Sequence, residues 1–467
     1  MLKQLSLNLL SILLVSLLAG CSMSSTFNAY PNQAKPMRAD IAKGKFQDAA
    51  DRVKSKTDTN DKILYLMEYG RIEQLAGNFT QSRDIYTQAI ANVDALQQKA
   101  KITATGMFDQ SAALLVNDNA IPYQGYPYEY ILLHQYQALN YVALGDVSGA
   151  LVEVRRADEE QSYTQQLNQK TLAAADAKAK KESINNNVDF NQKQFQQMNA
   201  AAAAVKNQYL DAYSYYFGGL MFEATGSSNN AYVAYKQALS ISPSNPYLQQ
   251  NVLRLGKQLS MPDFTRYQKT YPQTIINPKP NQGKIAIIFE QGFIPLRKAF
   301  NLPLPINGSG IVPISMPYYA DRHFPTPALL VSQGKETLGK TSAILNLQNL
   351  SARALKDEYP VLVVRAILRF AAKATMEHSA QKNAGDVGGI VANLYTVFSS
   401  GADLRTWSTL PNDVQIMQAY VNAGEQSLTL SYNGKRQTMP VKVTKGQTVL
   451  VWVVAYPTRL ATNVFPL

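Results

Sequence analysis

The chain has 467 residues, enough for two to four domains, and 46% of them are hydrophobic, an ordinary globular fraction. Its single cysteine, Cys21, excludes a disulfide within the chain. The formal net charge of +12 suits anionic surroundings, but the basic residues are scattered and form no run, which argues against nucleic acid as a partner.

Leu5 to Leu18 is an almost unbroken apolar run behind Lys3, and it ends Leu18-Ala19-Gly20-Cys21. A run this short that closes on small residues reads as a secretory signal peptide over 1–20, not as a membrane span. The order Leu-Ala-Gly-Cys resembles the bacterial lipobox. That resemblance implies lipidation of Cys21 and, with Ser22 and not Asp in the next position, an outer-membrane anchor facing the periplasm. Residues 21–35 read as a polar tether, and no later stretch of 18 apolar residues follows.

Residues 36–260 are rich in Ala, Gln, Leu and Tyr and read as helical. Gly77, Gly145 and Gly226 each sit between two helical stretches. Seven residues before them stand Gly70, Ala138 and Gly219; five after stand Ser82, Ala150 and Ala231; twelve after stand Ala89, Ala157 and Ala238. Tyr86, Val154 and Tyr235 lie nine after, and Gly44 begins a fainter copy. Small residues let two antiparallel helices approach closely, and a glycine suits the turn between them. The pattern resembles the tetratricopeptide repeat, which implies an α-solenoid. Tyr247 to Leu259 would cap it with a polar outer face. Residues 159–205, rich in Gln, Asn, Ala and Lys, read as an insertion of long, solvated, mobile helices with a break near Asn185.

The four prolines in 261–283 suggest a linker. Beyond it, 284–410 reads as a mixed α/β domain, with strands at 284–290 and 310–316 and helices at 344–357 and 361–380. The last stretch, 411–467, alternates and carries the turn Asn433-Gly434, so it reads as a small antiparallel β module. The whole is an α plus α/β multidomain chain.

Gly334-Lys335-Glu336-Thr337-Leu338-Gly339-Lys340-Thr341 matches the phosphate-binding loop pattern. No convincing helix opens at Ser342 and no strand ending in Asp follows, so a β-turn is the better reading and no nucleotide is expected. His134, His323 and His378 are far apart and lack metal-ligand spacing, so neither a metal nor another cofactor is expected. No Gly-x-Ser-x-Gly elbow marks a nucleophile, so no catalytic residue is assigned. Two segments stand out. Tyr123, Tyr126, Tyr128 and Tyr130 offer rigid aromatic area for a partner, or pack the solenoid. Asp403, Arg405 and Trp407 either pin a loop through a buried ion pair or turn the indole toward a ligand.

Across 127–156 and 402–411 the chain resembles a family of uncharacterised Gram-negative lipoproteins with a tetratricopeptide-like N-terminal half, found beside a lipoprotein activator of a peptidoglycan synthase. The resemblance implies location and architecture. The resulting expectation is a non-enzymatic, lipid-anchored scaffold whose solenoid takes up a segment of an envelope protein partner, with 36–260 able to fold alone. A cell-wall-directed enzyme with its site in the C-terminal half, and an accessory lipoprotein of secretion or surface structures, are the alternatives.

Overall fold

The computed structural model describes residues 28–102, 118–185, 189, 192–306, 310–321, 326–398 and 401–467. The signal peptide, Cys21 and the start of the tether lie outside them. The fold is mixed α+β, with a helical N-terminal half and a strand-rich C-terminal region, and the described residues form twelve α-helices and three sheets.

The helices begin with α1 (Tyr30–Ala42), α2 (Phe46–Lys54), α3 (Lys62–Ala76) and α4 (Phe79–Ile102). After a 3₁₀ turn at Asp118–Ala120 come α5 (Pro127–Ala143), α6 (Val147–Lys181) and α7 (Gln196–Ala203). Then follow α8 (Ala212–Ala224), α9 (Ser228–Ile241), α10 (Pro246–Gln258) and α11 (Phe264–Thr270). Helices α3–α4, α5–α6 and α8–α9 are hairpins, each packed on the next. Their turn glycines have left-handed backbones, with φ of +87° at Gly77, +75° at Gly145 and +78° at Gly226. The amides that follow close the preceding helices in one shared pattern, Asn78 N–H to Glu73 O, Asp146 N–H to Tyr141 O and Ser227 N–H to Phe222 O.

The other small positions serve space. A Cβ on Gly70 would stand 2.4 Å from the Tyr86 ring, and one on Gly219 would stand 2.6 Å from the Tyr235 ring. The middle hairpin uses Ala138 and Val154, a larger floor under a smaller knob, and Ala89, Ala150, Ala157, Ala231 and Ala238 are buried between helices. Ser82 donates from Oγ to Gly70 O at 2.7 Å and accepts from Asn140 Nδ2 at 2.9 Å, which ties the first hairpin to the second.

The C-terminal region supplies β1 (Gln282–Gln291), β2 (Lys298–Ile306), β3 (Gly310–Tyr318), β4 (Leu330–Gln333), β5 (Glu336–Lys340) and β6 (Ser342–Asn346). A single helix, α12 (Leu347–Phe398), then runs through Pro360. It is followed by β7 (Asp413–Asn422), β8 (Gly424–Tyr432), β9 (Lys435–Val443), β10 (Thr448–Ala455) and β11 (Leu460–Pro466). One sheet has the order β11-β10-β1-β7-β6, a second β5-β4-β8-β9, and β2 and β3 form a hairpin. Strand β1 is parallel to β10 and antiparallel to β7.

The period of two along β1 decides the layering. Ile285, Ile287 and Phe289 pack against the four-stranded sheet through Leu428, Leu430 and Val441. Ala286 and Ile288 join the core of the helical half. Lys284 and Glu290 lie on that same face, and each meets a helical partner, Glu223 for Lys284 at 2.7 Å and Arg71 for Glu290. The five-stranded sheet is therefore sandwiched between helices and a second sheet, which is why its strands read as continuous apolar runs.

Several expectations need correction. Strand β1 lies between β7 and β10, so 411–467 is not a separate module from 284–410. One apolar cluster joins Tyr65, Tyr136 and Tyr216 to Trp407, Trp452 and Phe465, so 261–283 does not separate two cores. That segment folds back on α10 instead, where Gln250 donates to Thr274 O at 2.7 Å. Residues 344–346 are strand, and the two helices expected across 344–380 are one. The insertion is not solvated throughout. Ala175 and Ala179 pack on Val361 and Val364 of α12, while Phe195, Met198 and Ala202 pack on Leu355 and Tyr359. Small side chains there build an interface that apolar periodicity does not reveal. The break falls at Ser183, φ +53°. Helix α10 presents no free polar end, because Tyr247 donates to Lys340 O at 2.6 Å and Asn245 to Ala343 O at 2.9 Å.

Candidate functional site

The loop 401–412 connects α12 to β7 and enters the helical half on the side formed by α1, α3 and α5. Two helical carboxylates receive it. Glu68 of α3 accepts Ser408 N–H at 2.6 Å, Ser408 Oγ–H at 2.8 Å, Thr409 N–H at 3.1 Å, and the Tyr30 hydroxyl. Glu129, in the first turn of α5, accepts Trp407 N–H at 2.8 Å and Thr406 Oγ–H at 3.2 Å. Its other oxygen accepts Tyr123 O–H at 2.5 Å and Tyr126 N–H at 3.1 Å. Burial pushes both carboxyls up from their ordinary range, and the hydrogen bonds from the loop and from the tyrosines pull the other way.

Arg405 anchors the start of the loop with every guanidinium donor engaged. Nε and Nη2 bind Asp403 at 2.9 and 2.7 Å. Nη1 binds Asp61 and Ile121 O, the latter at 2.9 Å, and Nη2 also binds Asp118 O at 2.8 Å. Asp118 in turn pairs with Arg365 and Arg369 of α12, at 2.9 and 2.5 Å. Burial resists ionisation of Asp118, but these arginines hold its carboxyl below the usual range. Trp407 is fully buried, edge-on to Tyr86 and Tyr136 with ring centroids 6.0 Å away in each case, and its indole N–H reaches Thr409 Oγ at 3.0 Å.

Asp403, Arg405 and Trp407 thus come together in a buried clamp, and the indole faces aromatic side chains rather than a ligand. The aromatic run is not a partner surface. Tyr123, Tyr128 and Tyr130 are buried, and Tyr126 accepts a hydrogen bond from Arg297 at 2.9 Å. Glu68 and Glu129 are saturated by protein donors and shielded from solvent, so neither is placed to exchange a proton with a substrate. The loop 402–411 fills the side of the helical half formed by α1, α3 and α5. Residues 36–260 alone would leave Glu68, Glu129 and Arg71 without the groups that satisfy them, so the expectation that this stretch is self-sufficient is revised.

The phosphate-loop match is a β-hairpin. Gly334, at φ +57°, and Lys335 turn between β4 and β5, and Lys340 ends β5. Thr341 Oγ–H donates to Gln415 at 2.5 Å, and β6 follows where a phosphate loop opens a helix. His134 is buried in α5 with Nδ1 2.6 Å from Glu153. His323 lies outside the described residues, as does the side chain of His378. Among the described residues no cluster of His, Cys, Asp and Glu has metal-ligand geometry.

Sequence reasoning missed Glu68, Arg71 and Glu129. Their signal is present. Glu68 and Arg71 interrupt the otherwise apolar Ile63-to-Ile72 stretch, and Glu129 interrupts Tyr128-to-Leu133. An ionisable group with apolar neighbours on every helical face must be buried with a partner.

No known family model matches the chain, and no curated protein matches it. A solved structure, "Crystal structure of MamA protein", overlaps 54% of this chain and 100% of that chain at 13% identity and a TM-score of 0.27. That likeness is too loose to assign a fold.

Proposed function

We propose that the protein is a lipid-anchored adaptor of the cell envelope, held at the outer membrane through Cys21 and facing the periplasm. Its tetratricopeptide-like hairpins bind a protein of envelope biogenesis, with the peptidoglycan synthesis machinery as the first candidate. The observation that carries this reading is the repeated hairpin construction, with left-handed glycine caps and the Gly70–Tyr86 and Gly219–Tyr235 interlocks. Such arrays present extended surfaces for protein partners. The absence of a membrane-crossing helix among the described residues is compatible with a lipid anchor. Because the chain's own loop fills one side of the array, partner contact falls on the outer helices. There Val152 of α6 and Val233 of α9 are each 51% exposed.

Photo-crosslinking amino acids at positions 152, 233 and 407 in cells test this. Adducts with envelope proteins are expected from 152 and 233, and intrachain adducts alone from 407. No intermolecular adduct from either helix would refute the adaptor reading. Retention of a Cys21→Ser variant in the membrane fraction would refute the anchor.

A further inference from the structure

The strands β2 and β3 form a two-stranded ribbon to which no further strand pairs among the described residues. No charged residue occurs from Ala299 to Ala320, the longest such run beyond the tether. The alternation of the strands divides these side chains between two faces. Leu302, Leu304, Ile314 and Met316 are buried in one cluster with Leu355 and Tyr359 of α12. On the opposite face Ala299, Asn301, Pro303, Ile311 and Pro313 are exposed, Ile311 by 74%. An exposed face with apolar side chains and no charge marks a contact with protein or with membrane.

The prolines favour the membrane. Pro303 stands opposite Pro313, and neither has an N–H to give the other, so theirs is a non-bonded pair whose backbone positions face the edges of the ribbon. Pro305 and Pro317 fall in the same alternation and face the edges too. Tyr359 accordingly donates to the outward Pro317 O. At these four positions the edges offer no N–H to a strand of a second copy or of a partner, and leave none unpaired in an apolar surrounding.

Position points the same way. The eight residues between Cys21 and Tyr30 span at most about 30 Å. Tyr30 is fixed in the body by Glu68 and Ser408. Arg38, about two turns further along α1, donates to Ile294 O at 3.0 Å, four residues before β2. Acyl groups on Cys21 are therefore held within reach of the ribbon, each strand of which has nine residues and extends about 30 Å. We infer that the exposed face of β2 and β3 rests on the lipid surface that holds Cys21, with Pro303, Ile311 and Pro313 in the headgroup boundary. The inference rests on the anchor reading and is separate from the adaptor surface on α6 and α9.

The test supplies the anchor directly. The chain from Cys21 onward is coupled through its only thiol to a maleimide lipid in vesicles of phosphatidylethanolamine and phosphatidylglycerol. This places Cys21 on lipid whether or not the cell acylates it, so failure here and failure of the anchor reading are told apart. A photo-crosslinking amino acid stands at 311, or at 233 as the control. Lipid adducts are expected from 311, at least about five-fold more than from 233, and cut about five-fold by Pro303→Asp/Pro313→Asp. Asn301→Asp, a single change at an exposed side chain, should lower them as well without shifting the melting temperature. Equal lipid adducts from the two positions, adducts from 311 to a second copy in place of lipid, or yields unchanged by both variants would overturn the inference.

Discussion

Gly70 and Gly77 are neighbours in sequence but are required for different reasons, and substitution separates them. Gly77 has open space around it and a left-handed backbone, so Gly77→Ala should cost about 1–2 kcal/mol through φ alone. Gly70→Ala must move a buried tyrosine ring and should cost about 1–3 kcal/mol by overpacking. Reducing the ring in Tyr86→Leu should relieve much of the second penalty and none of the first. Denaturant unfolding of the single and double variants measures both. Burial also sets a pH dependence. It raises Asp211 to about 6 and Asp413 to about 7, from an ordinary 3.8, and raises Glu68 and Glu129 in the same direction. Between about pH 4 and 7 the folded chain thus holds protons that the unfolded chain has released, so stability falls as pH rises through that window. The lowered carboxyls, Asp118 and Glu223, contribute stability that is lost only as pH falls below the ordinary carboxylate range. Asp413→Asn should flatten the decline, as read from melting temperature against pH.

At the scale of elements, the loop 402–411 is as integral to the core as any helix. Trp407→Ala removes a fully buried indole between two tyrosines and should destabilise by about 3–5 kcal/mol. An Arg405→Ala change removes the buried cation that binds Asp61, Asp403 and two backbone carbonyls and should be comparably severe, of order 3–5 kcal/mol. Thermal unfolding of both variants checks this. The hairpins, the turn at Asn433-Gly434 and strands β1, β3, β7, β8, β9 and β10 were legible because each obeys a local rule: period, cap or turn chemistry. Strands β2, β5 and β6 were not, because they are short or interrupted by proline, as β2 is by Pro303 and Pro305. The clamp was half legible. The charge pair Asp403 and Arg405 beside Trp407 marks a pinned loop, but its receptors Glu68 and Glu129 are more than 270 residues away in sequence. Pairing across that separation follows no local rule.

At the scale of the molecule, a shared core replaces the expected linker between separate domains. The ion pairs Arg71–Glu290 and Lys284–Glu223 join helices to the two ends of one strand face, and the loop clamp joins them a third time. Breaking the Arg71–Glu290 pair leaves a buried charge unpaired, and opening the clamp takes the loop donors from the buried Glu68 and Glu129, so the helical half and the sheets should unfold together. The two tryptophans report on this union. Trp407 and Trp452 both lie in the C-terminal half, and both are buried in the cluster that includes the helices. Denaturant unfolding followed in parallel by tryptophan fluorescence and by far-ultraviolet circular dichroism, which the helices dominate, is the most direct test. A single coincident transition by both probes is the expected result. A helical transition that survives after the tryptophan signal is lost would contradict the shared core.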